Sequence, residues 1–531
     1  MRKIEVVPYS PEWKKDFEQI KSFLSRYFPE YEIIHVGSTS VEGAWAKPII
    51  DVDLLIPDLN LLSEINQRLA KIGFRFRGDL TIEGRYAYDI DNWEFAPCHF
   101  YVSLPDGQGH VEHMVLKKHL EKYPEEVAKY SRIKKKLAKK HPFDIGKYID
   151  GKSFFIMKAM KKEGYIRPKY QVVRPDFSHS LLNVVSSIQN HFKASSGFAT
   201  LRSVDEELQS AKHVVLLVLD GLGKNILEHH LTKKHLLRRK TIDFVTSVYP
   251  PTTVAATTAL RTGKTPGETG WLGWYQYFKQ FDEHIVMFQN LNYFAGRKLD
   301  VPYLEEVPIT PFPQAFEGVR TYELYPAFMP DGCKTLKDMM DRIIDITASS
   351  EEPSFTYAYW DHPDCLIHEE GCFSEEVRKC VRDINEQIKY LGKRLNDETV
   401  VLLVADHGLV DVKPIYLSKF PELTKYFVHK PALESRFTVF YVNDFNGFAE
   451  TFNLYFSSYF DLFPTDVLIE QGVFGPVSDT ARKFLGDFIA IAKHKYAFSV
   501  KDDPHFFKAT HAGGLKEEMM VPVIAVKNSR R

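Results

Sequence analysis

Residues 217–223, LVLDGLG, end a run of apolar residues with an acid and two glycines. A carboxylate at the C-terminal edge of a buried sheet is where open α/β proteins place ligands and metals, although an ordinary turn accepts the same residues. The pattern recurs at FTYAYWD (355–361) and at TVVLLVAD (399–406), the latter preceded by a helix that starts at Ser374. Near-continuous apolar strands alternating with helices predict an α/β domain built on a mostly parallel sheet with helices on both faces.

Four further stretches place acids, histidines or hydroxyls where they could converge on that sheet edge with Asp220. They are YPPTTVAATTALRTG (249–263), DHPDCLIHEEG (361–371), ADHG (405–408) and ATHAGG (509–514). Singly, each has an ordinary reading as a turn, a cap or a satisfied polar residue. Together they supply the Asp and His donors that zinc or manganese accept, in the number that two adjacent metals require.

In composition and order, VLDGLG, PPTTVAATTALRTG, DCLIH, VADHG and THAGG resemble the alkaline phosphatase superfamily, and most of all its type I phosphodiesterase and nucleotide pyrophosphatase branch. The likeness spans 176–531. It implies a two-metal phosphoric ester hydrolase in which Asp220, Asp406 and His407 hold one divalent cation and Asp364, His368 and His511 the other, zinc or manganese in both. Thr253 is then the nucleophile between them, preferred to Thr252 by its spacing from Gly263. Asp364 is preferred to Asp361 because it forms Asp-x-x-x-His with His368. A threonine hydroxyl attacks at neutral pH only when a neighbouring dication lowers its pKa, which accounts for the metals. Gly221 and Gly223 let the backbone turn close to the site. Where the branch usually has Asn three residues after the nucleophile this chain has Ala256, and Ile367 stands where Gly usually precedes the histidine. The substrate class within the branch is therefore open, with a phosphodiester or nucleotide pyrophosphate expected ahead of a monoester. Segments 264–350 and 412–500 read as cap insertions whose aromatics either pack within the cap or stack a nucleobase.

The N-terminal part reads differently. HVGSTSVEGAWAKPIIDVDLLI (35–56) puts Gly37 and Ser38 before a strand on which Asp51 and Asp53 share one face, the way a carboxylate pair holds magnesium against a triphosphate. Apolar neighbours on that strand make two unpartnered acids costly. With VVPYSPEW and YIDGKSFF, this stretch is similar to the GrpB family, an α+β nucleotidyltransferase-like domain. The resemblance implies phosphate contacts at Gly37 and Ser38 and a metal, magnesium, on Asp51 and Asp53; Lys47 and Lys152 read either as further phosphate contacts or as solvated lysines. Glu94 and Glu112 are both candidates for a third acid.

Two domains follow, 1–168 and 176–531, separated by the Pro-containing connector near 166–176. The opening helix carries Trp13, Phe17, Ile20, Leu24 and Phe28 at helical spacing after Ser10 and Pro11. The length of 531 residues, 44% hydrophobic and 26% charged composition describe a globular chain with a sizeable core. A net charge of −1 excludes a chain that is basic overall, but 13 Lys or Arg against three acids between 130 and 170 concentrate positive charge locally. Its densest part, 132–141, is either a patch that attracts RNA or polyphosphate or one solvated helix face. Five cysteines without paired metal spacing are expected to be free thiols. No stretch reads as a signal peptide or membrane span, so a cytoplasmic enzyme acting on a phosphate ester or nucleotide is expected. Two other readings stand beside it: a nucleotidyltransferase working through the N-terminal domain, and a degenerate nucleotide- or RNA-binding protein.

Overall fold

The computed structural model describes residues 3–91, 93–503 and 505–528. The chain divides into two compact units. The first comprises 1–169 together with Ser418–Lys425 and Phe445–Tyr459, and the second comprises the remainder. The first unit is thus discontinuous, which the sequence boundary at 168 and 176 does not anticipate.

In the first unit a five-stranded sheet runs in the order Ile33–Val36, Ile50–Leu55, Cys98–Ser103, Arg85–Ile90, Phe74–Gly78. Only the pairing of Ile50–Leu55 with Cys98–Ser103 is parallel, and it sets Asp51 opposite His99 and Asp53 opposite Tyr101. The opening helix, Glu12–Ser25, buries Trp13, Phe17, Ile20 and Leu24, the periodic positions that draw it onto the sheet. Phe28 is also buried but lies past the helix end. Three long helices, Gln108–Lys122, Pro124–Lys140 and Ile145–Lys162, follow the last strand of this sheet in the chain.

The segments from the second half of the chain pack here through specific polar contacts. Asp79 accepts hydrogen bonds from Ser457 Oγ at 2.7 Å and from the Ser458 N–H at 2.8 Å. Tyr455 Oη accepts from Asn66 Nδ2 at 3.0 Å. Residues 445–459 lie within 412–500, the segment whose sequence predicts a cap insertion. Their alternation of Phe and Tyr at helical spacing shows that they are buried, but not against what.

The second unit is built on a six-stranded sheet in the order Arg320–Leu324, Ser354–Trp360, His213–Leu219, Thr399–Val404, Met520–Val526, Thr241–Thr246. The first three pairings are parallel. Met520–Val526 then runs antiparallel to both neighbours, so the sheet is mixed. Every residue of His213–Leu219 and Thr399–Val404 is buried, as their unbroken apolar runs require. A second sheet of seven strands, antiparallel throughout, is formed from segments between 275 and 492. It accounts for much of the expected cap, and its aromatics are largely engaged in packing: Tyr275 stacks on Tyr293 at 3.6 Å, and Trp271 donates to the Val307 carbonyl. All five cysteines are free. Among the described residues no helix is long and apolar enough to cross a membrane.

Candidate metal centre

The three central parallel strands of the second unit end in register, with Leu219 paired to Trp360 and Val218 to Val404. Asp220 and Asp406 therefore leave the same sheet edge, while Asp364 opens the helix Asp364–Glu370 just beyond the third strand. The turn after Asp220 depends on Gly221, whose φ of +72° is one that side chains resist and where a Cβ would press on Asp364. Its N–H donates to Asp406 Oδ1 at 3.1 Å, and the Asp364 N–H donates to the Asp220 carbonyl at 3.1 Å, so the backbone ties the three acids together.

Two donor groups result. Asp220, Asp406 and His407 bring ligand atoms within 4.8 Å of one another, and Asp364, His368 and His511 do the same. His368 Nδ1 lies 2.8 Å from the Ala509 carbonyl, which leaves Nε2 facing Asp364 Oδ2 at 3.2 Å. Such fixing of one ring nitrogen orients a histidine as a ligand. The rings of His407 and His511 stack at 3.7 Å, joining the two groups. His511 sits in a loop held by a fully buried pair: Arg436 is bidentate on Glu518 at 2.7 Å, and Glu518 also accepts from the Gly513 N–H at 2.7 Å.

Thr253 is the first residue of the helix Thr253–Thr262. Its Oγ1 lies 3.1 Å from His407 Nε2 and 3.4 Å from Asp220 Oδ2, and it retains partial exposure amid buried neighbours. Thr252 instead donates to Glu434 Oε1 at 2.6 Å, and Asp361 meets the His362 ring at 2.8 Å. Ala256 and Ile367 are both buried in the hydrophobic core.

The electrostatics call for positive charge. Asp220 Oδ1, Asp364 Oδ1, Asp406 Oδ2 and His511 Nδ1 are buried without a hydrogen-bond partner among the described residues. Burial, then the charges of Asp406 and Asp364, pushes the Asp220 carboxyl well above the usual carboxylate range; Asp406 is raised by burial and by Asp364. At Asp364 burial acts the same way but is outweighed by His368, His511 and His407, so its carboxyl lies below the usual range. Dications fit such a set of orphaned oxygens and imidazoles, and the donor chemistry matches zinc or manganese.

Two contributors escape sequence reasoning. Tyr359 Oη donates to Asp220 Oδ2, and Glu434, pushed up to about 7 by burial, accepts from Thr252 and from the Trp274 N–H at 2.7 Å. Tyr359 lies one residue from the end of its strand, a position that could have been read; Glu434 lies far from any motif.

In the first unit, Asp51 Oδ1 meets His99 Nδ1 at 2.9 Å. Asp53, fully buried, faces His110 Nδ1 at 2.8 Å and His113 Nδ1 at 3.1 Å. Burial would raise the Asp53 carboxyl, but these two imidazoles hold it below its ordinary value. Gly37 has φ of +71°, and a Cβ there would collide with the Asp51 carboxylate. Neither candidate for a third acid joins the pair: Glu112 is bidentate on Arg167 at 2.7 and 2.8 Å, and Glu94 is exposed. In the basic stretch, Arg132, Lys135, Lys136, Lys139 and Lys140 form an exposed helix face, whereas Lys134 is buried.

An α/β sheet whose edge gathers two buried Asp/His groups around a threonine defines a candidate metal-dependent hydrolase domain. Residues 214–513 match the type I phosphodiesterase / nucleotide pyrophosphatase family and residues 3–162 the GrpB protein family, so the chain belongs to both through its two parts. UPF0157 protein YqkA of Bacillus subtilis is 32% identical over 162 residues, covering 30% of this chain and 46% of that protein, so the match spans about half of YqkA. Glutamate-rich protein GrpB of Alkalihalophilus pseudofirmus is 30% identical over 159 residues, 28% of this chain and 90% of that protein. The solved structure of murine ectonucleotide pyrophosphatase / phosphodiesterase 5 is 16% identical, covers 59% of this chain and 88% of its own, and has a TM-score of 0.46.

Proposed function

We propose that the second unit hydrolyses a phosphodiester or nucleotide pyrophosphate in two displacements. In the first, Thr253 Oγ1 forms a bond to phosphorus as the bond to the leaving alcohol or phosphate breaks, and the hydroxyl proton departs with that group; water then cleaves the phosphoryl- or nucleotidyl-threonine and restores the hydroxyl. The observation that carries this reading is the position of Thr253 Oγ1, 3.1 Å from His407 Nε2 and 3.4 Å from Asp220 Oδ2, at the start of a ten-residue helix. The group Asp220, Asp406 and His407 would hold one divalent cation, and Asp364, His368 and His511 a second. When bound, such cations acidify a hydroxyl and offset the charge that builds on phosphorus. The chain's own residues do the rest. His407 and Asp220 hold the Thr253 side chain at the sheet edge, and the helix that Thr253 opens directs its free N–H groups and positive dipole end toward an anion. Tyr359 fixes the Asp220 carboxylate through Oδ2, leaving Oδ1 without a hydrogen bond, 3.5 Å from His407 Nε2. Burial of the donor set keeps bulk water from screening these charges.

The pairing of Asp51 and Asp53 with histidines, and the absence of Glu94 and Glu112 from that pair, favours placing hydrolysis in the second unit over nucleotidyl transfer in the first. The test is turnover of a chromogenic phosphodiester with zinc or manganese present. Wild type should hydrolyse it, and Thr253→Ala should lose at least about 10³-fold in kcat, as removal of a covalent nucleophile does. Undiminished turnover by Thr253→Ala would overturn the reading.

A further inference from the structure

The helix Ile145–Lys162 carries apolar side chains on two faces. Tyr148, Phe155, Ala159 and Met160 are buried, as the inward face of an amphipathic helix requires. Phe154 and Met157 point the other way and are 81% and 66% exposed. Phe154, Met157, Lys158 and Lys161 follow the i, i+3, i+4, i+7 spacing of a single helix face, which Asp150 and Lys147 extend toward the N-terminus, and every member of that stripe is exposed. Ile145, Ile149 and, just before the helix, Phe143 are exposed as well. Of the 18 large apolar side chains exposed among the described residues, six lie between 143 and 166. Single exposed apolar residues are ordinary, but a concentration of them on one element marks a contact surface.

The same surface is cationic. Between 132 and 162 nine Lys or Arg are exposed, against two acids, Asp144 and Asp150. Five of the nine belong to the preceding helix, Pro124–Lys140, which packs closely on this one: a Cβ at Gly151 would come within 2.4 Å of Leu137. The cations of one helix and the apolar stripe of the other therefore belong to one hairpin. Lys135 and Lys162 rest over the rings of Trp45 and Tyr123, contacts that hold an ammonium without neutralising it.

Charge and apolarity together narrow the partner. A protein would cover this face poorly, because lysine is depleted at the cores of protein interfaces. RNA would use the charge, but Ile145, Ile149 and Met157 offer no ring on which a base could stack. An anionic bilayer surface uses both, since lysines remain among the headgroups while Phe and Met enter the boundary with the acyl chains. Among the described residues no helix is long and apolar enough to cross a membrane, so such contact lies in the plane of the surface.

We propose that the first unit docks on an anionic phospholipid surface through the exposed face of the helix Ile145–Lys162. Phe154 and Met157 enter the headgroup boundary, and the lysines of the hairpin meet the lipid phosphates. The proposal is independent of the hydrolase reading, because its residues lie wholly in the first unit.

The experiment is co-sedimentation of the full chain with vesicles of phosphatidylcholine alone and of equimolar phosphatidylcholine and phosphatidylglycerol. It compares wild type with two double variants, Phe154→Ser with Met157→Ser and Lys158→Glu with Lys161→Glu. Wild type should bind the anionic vesicles, leave them as salt rises, and ignore the neutral ones. The serine pair should weaken binding at least about tenfold, through loss of the apolar area buried by Phe and Met. The glutamate pair should weaken it by more than about 25-fold, at about fivefold for each lysine near the surface. All four positions are exposed, so both variants should melt with the wild type, which separates lost binding from lost fold. Phe154→Trp should keep binding and be quenched by brominated acyl chains, which adsorption by charge alone does not produce. Absence of binding to the anionic vesicles, or equal binding by the serine pair, would overturn the proposal. Capture of single-stranded RNA in place of the vesicles would also overturn it and assign the basic face to nucleic acid.

Discussion

Substituting Asp406 by Asn should stabilise the metal-free protein and destabilise the metal-loaded one. Asp406 Oδ1 accepts from the Gly221 and His407 N–H groups at 3.1 and 2.9 Å, and an asparagine oxygen retains both bonds. What changes is Oδ2, which is buried without a hydrogen bond, lies 3.5 Å from His407 Nε2 and belongs to a group whose ligand atoms lie within 4.8 Å of one another. Two like charges 4.8 Å apart repel by about 3.5 kcal/mol at an effective dielectric of 20. Because burial and Asp364 raise the Asp406 carboxyl in the folded state, its ionised form at pH 7 opposes folding, by about 1.4 kcal/mol for each unit of the shift. Some of this relief is lost to burial of the new amide, leaving a gain of about 1–3 kcal/mol in excess EDTA. In saturating manganese or zinc the order should reverse: at 100 times Kd a ligand adds about 2.7 kcal/mol to the wild type, and a variant lacking one anionic donor gains less. Urea denaturation of both proteins under both conditions measures this directly. If Asp406→Asn is less stable in EDTA and metal shifts the two proteins equally, the three acids are not a cation site and the electrostatic argument fails.

Tyr359→Phe removes the hydroxyl that holds Asp220 Oδ2 and should cost about 10–100-fold in metal affinity or turnover, read by metal titration and diester hydrolysis, with little change in melting. Arg436→Met leaves the Glu518 carboxylate buried without its partner and should cost about 3–5 kcal/mol in urea denaturation, because Glu518 also holds the backbone beside His511. Lys134 has a folded pKa pushed down to about 7, against about 10.4 in an unfolded chain. Between these values the unfolded chain binds the extra proton, so the cost of the buried charge is fully present below pH 7 and stability rises as pH climbs toward 10. Melting of wild type against Lys134→Met across that range should show the rise in the wild type and not in the variant.

The parts of this protein legible in its sequence are those where a local pattern has a single physical use. His213–Leu219 and Thr399–Val404 are apolar at every position because both sheet faces are covered, and each is followed by an acid that the parallel register delivers to one edge. Asp364 and His368 lie four apart on one helix, so their meeting is a local matter. Contacts that depend on chain return are not legible. Nothing in FNGFAETFNLYF says that it packs against the unit containing Asp79 rather than over its sequence neighbours, since helical apolar spacing specifies burial without naming the partner. Glu434 reaches Thr252 across 182 residues, and Met520–Val526 enters the sheet antiparallel, a direction that an apolar run does not encode. Lys134 reads as one of several lysines in a basic run, and only the helix phase set by Val127, Tyr130 and Ala138 turns it inward.

The central claim is that Thr253 becomes covalently modified during turnover, and the most direct measurement is peptide mass mapping of acid-quenched protein caught while hydrolysing a diester or nucleotide substrate. The account predicts a phosphoryl or nucleotidyl mass increment on the peptide containing residues 249–263, localised by fragmentation to Thr253 and absent from Thr253→Ala. An adduct on Thr252, or turnover that persists in Thr253→Ala with no adduct in either protein, would contradict it.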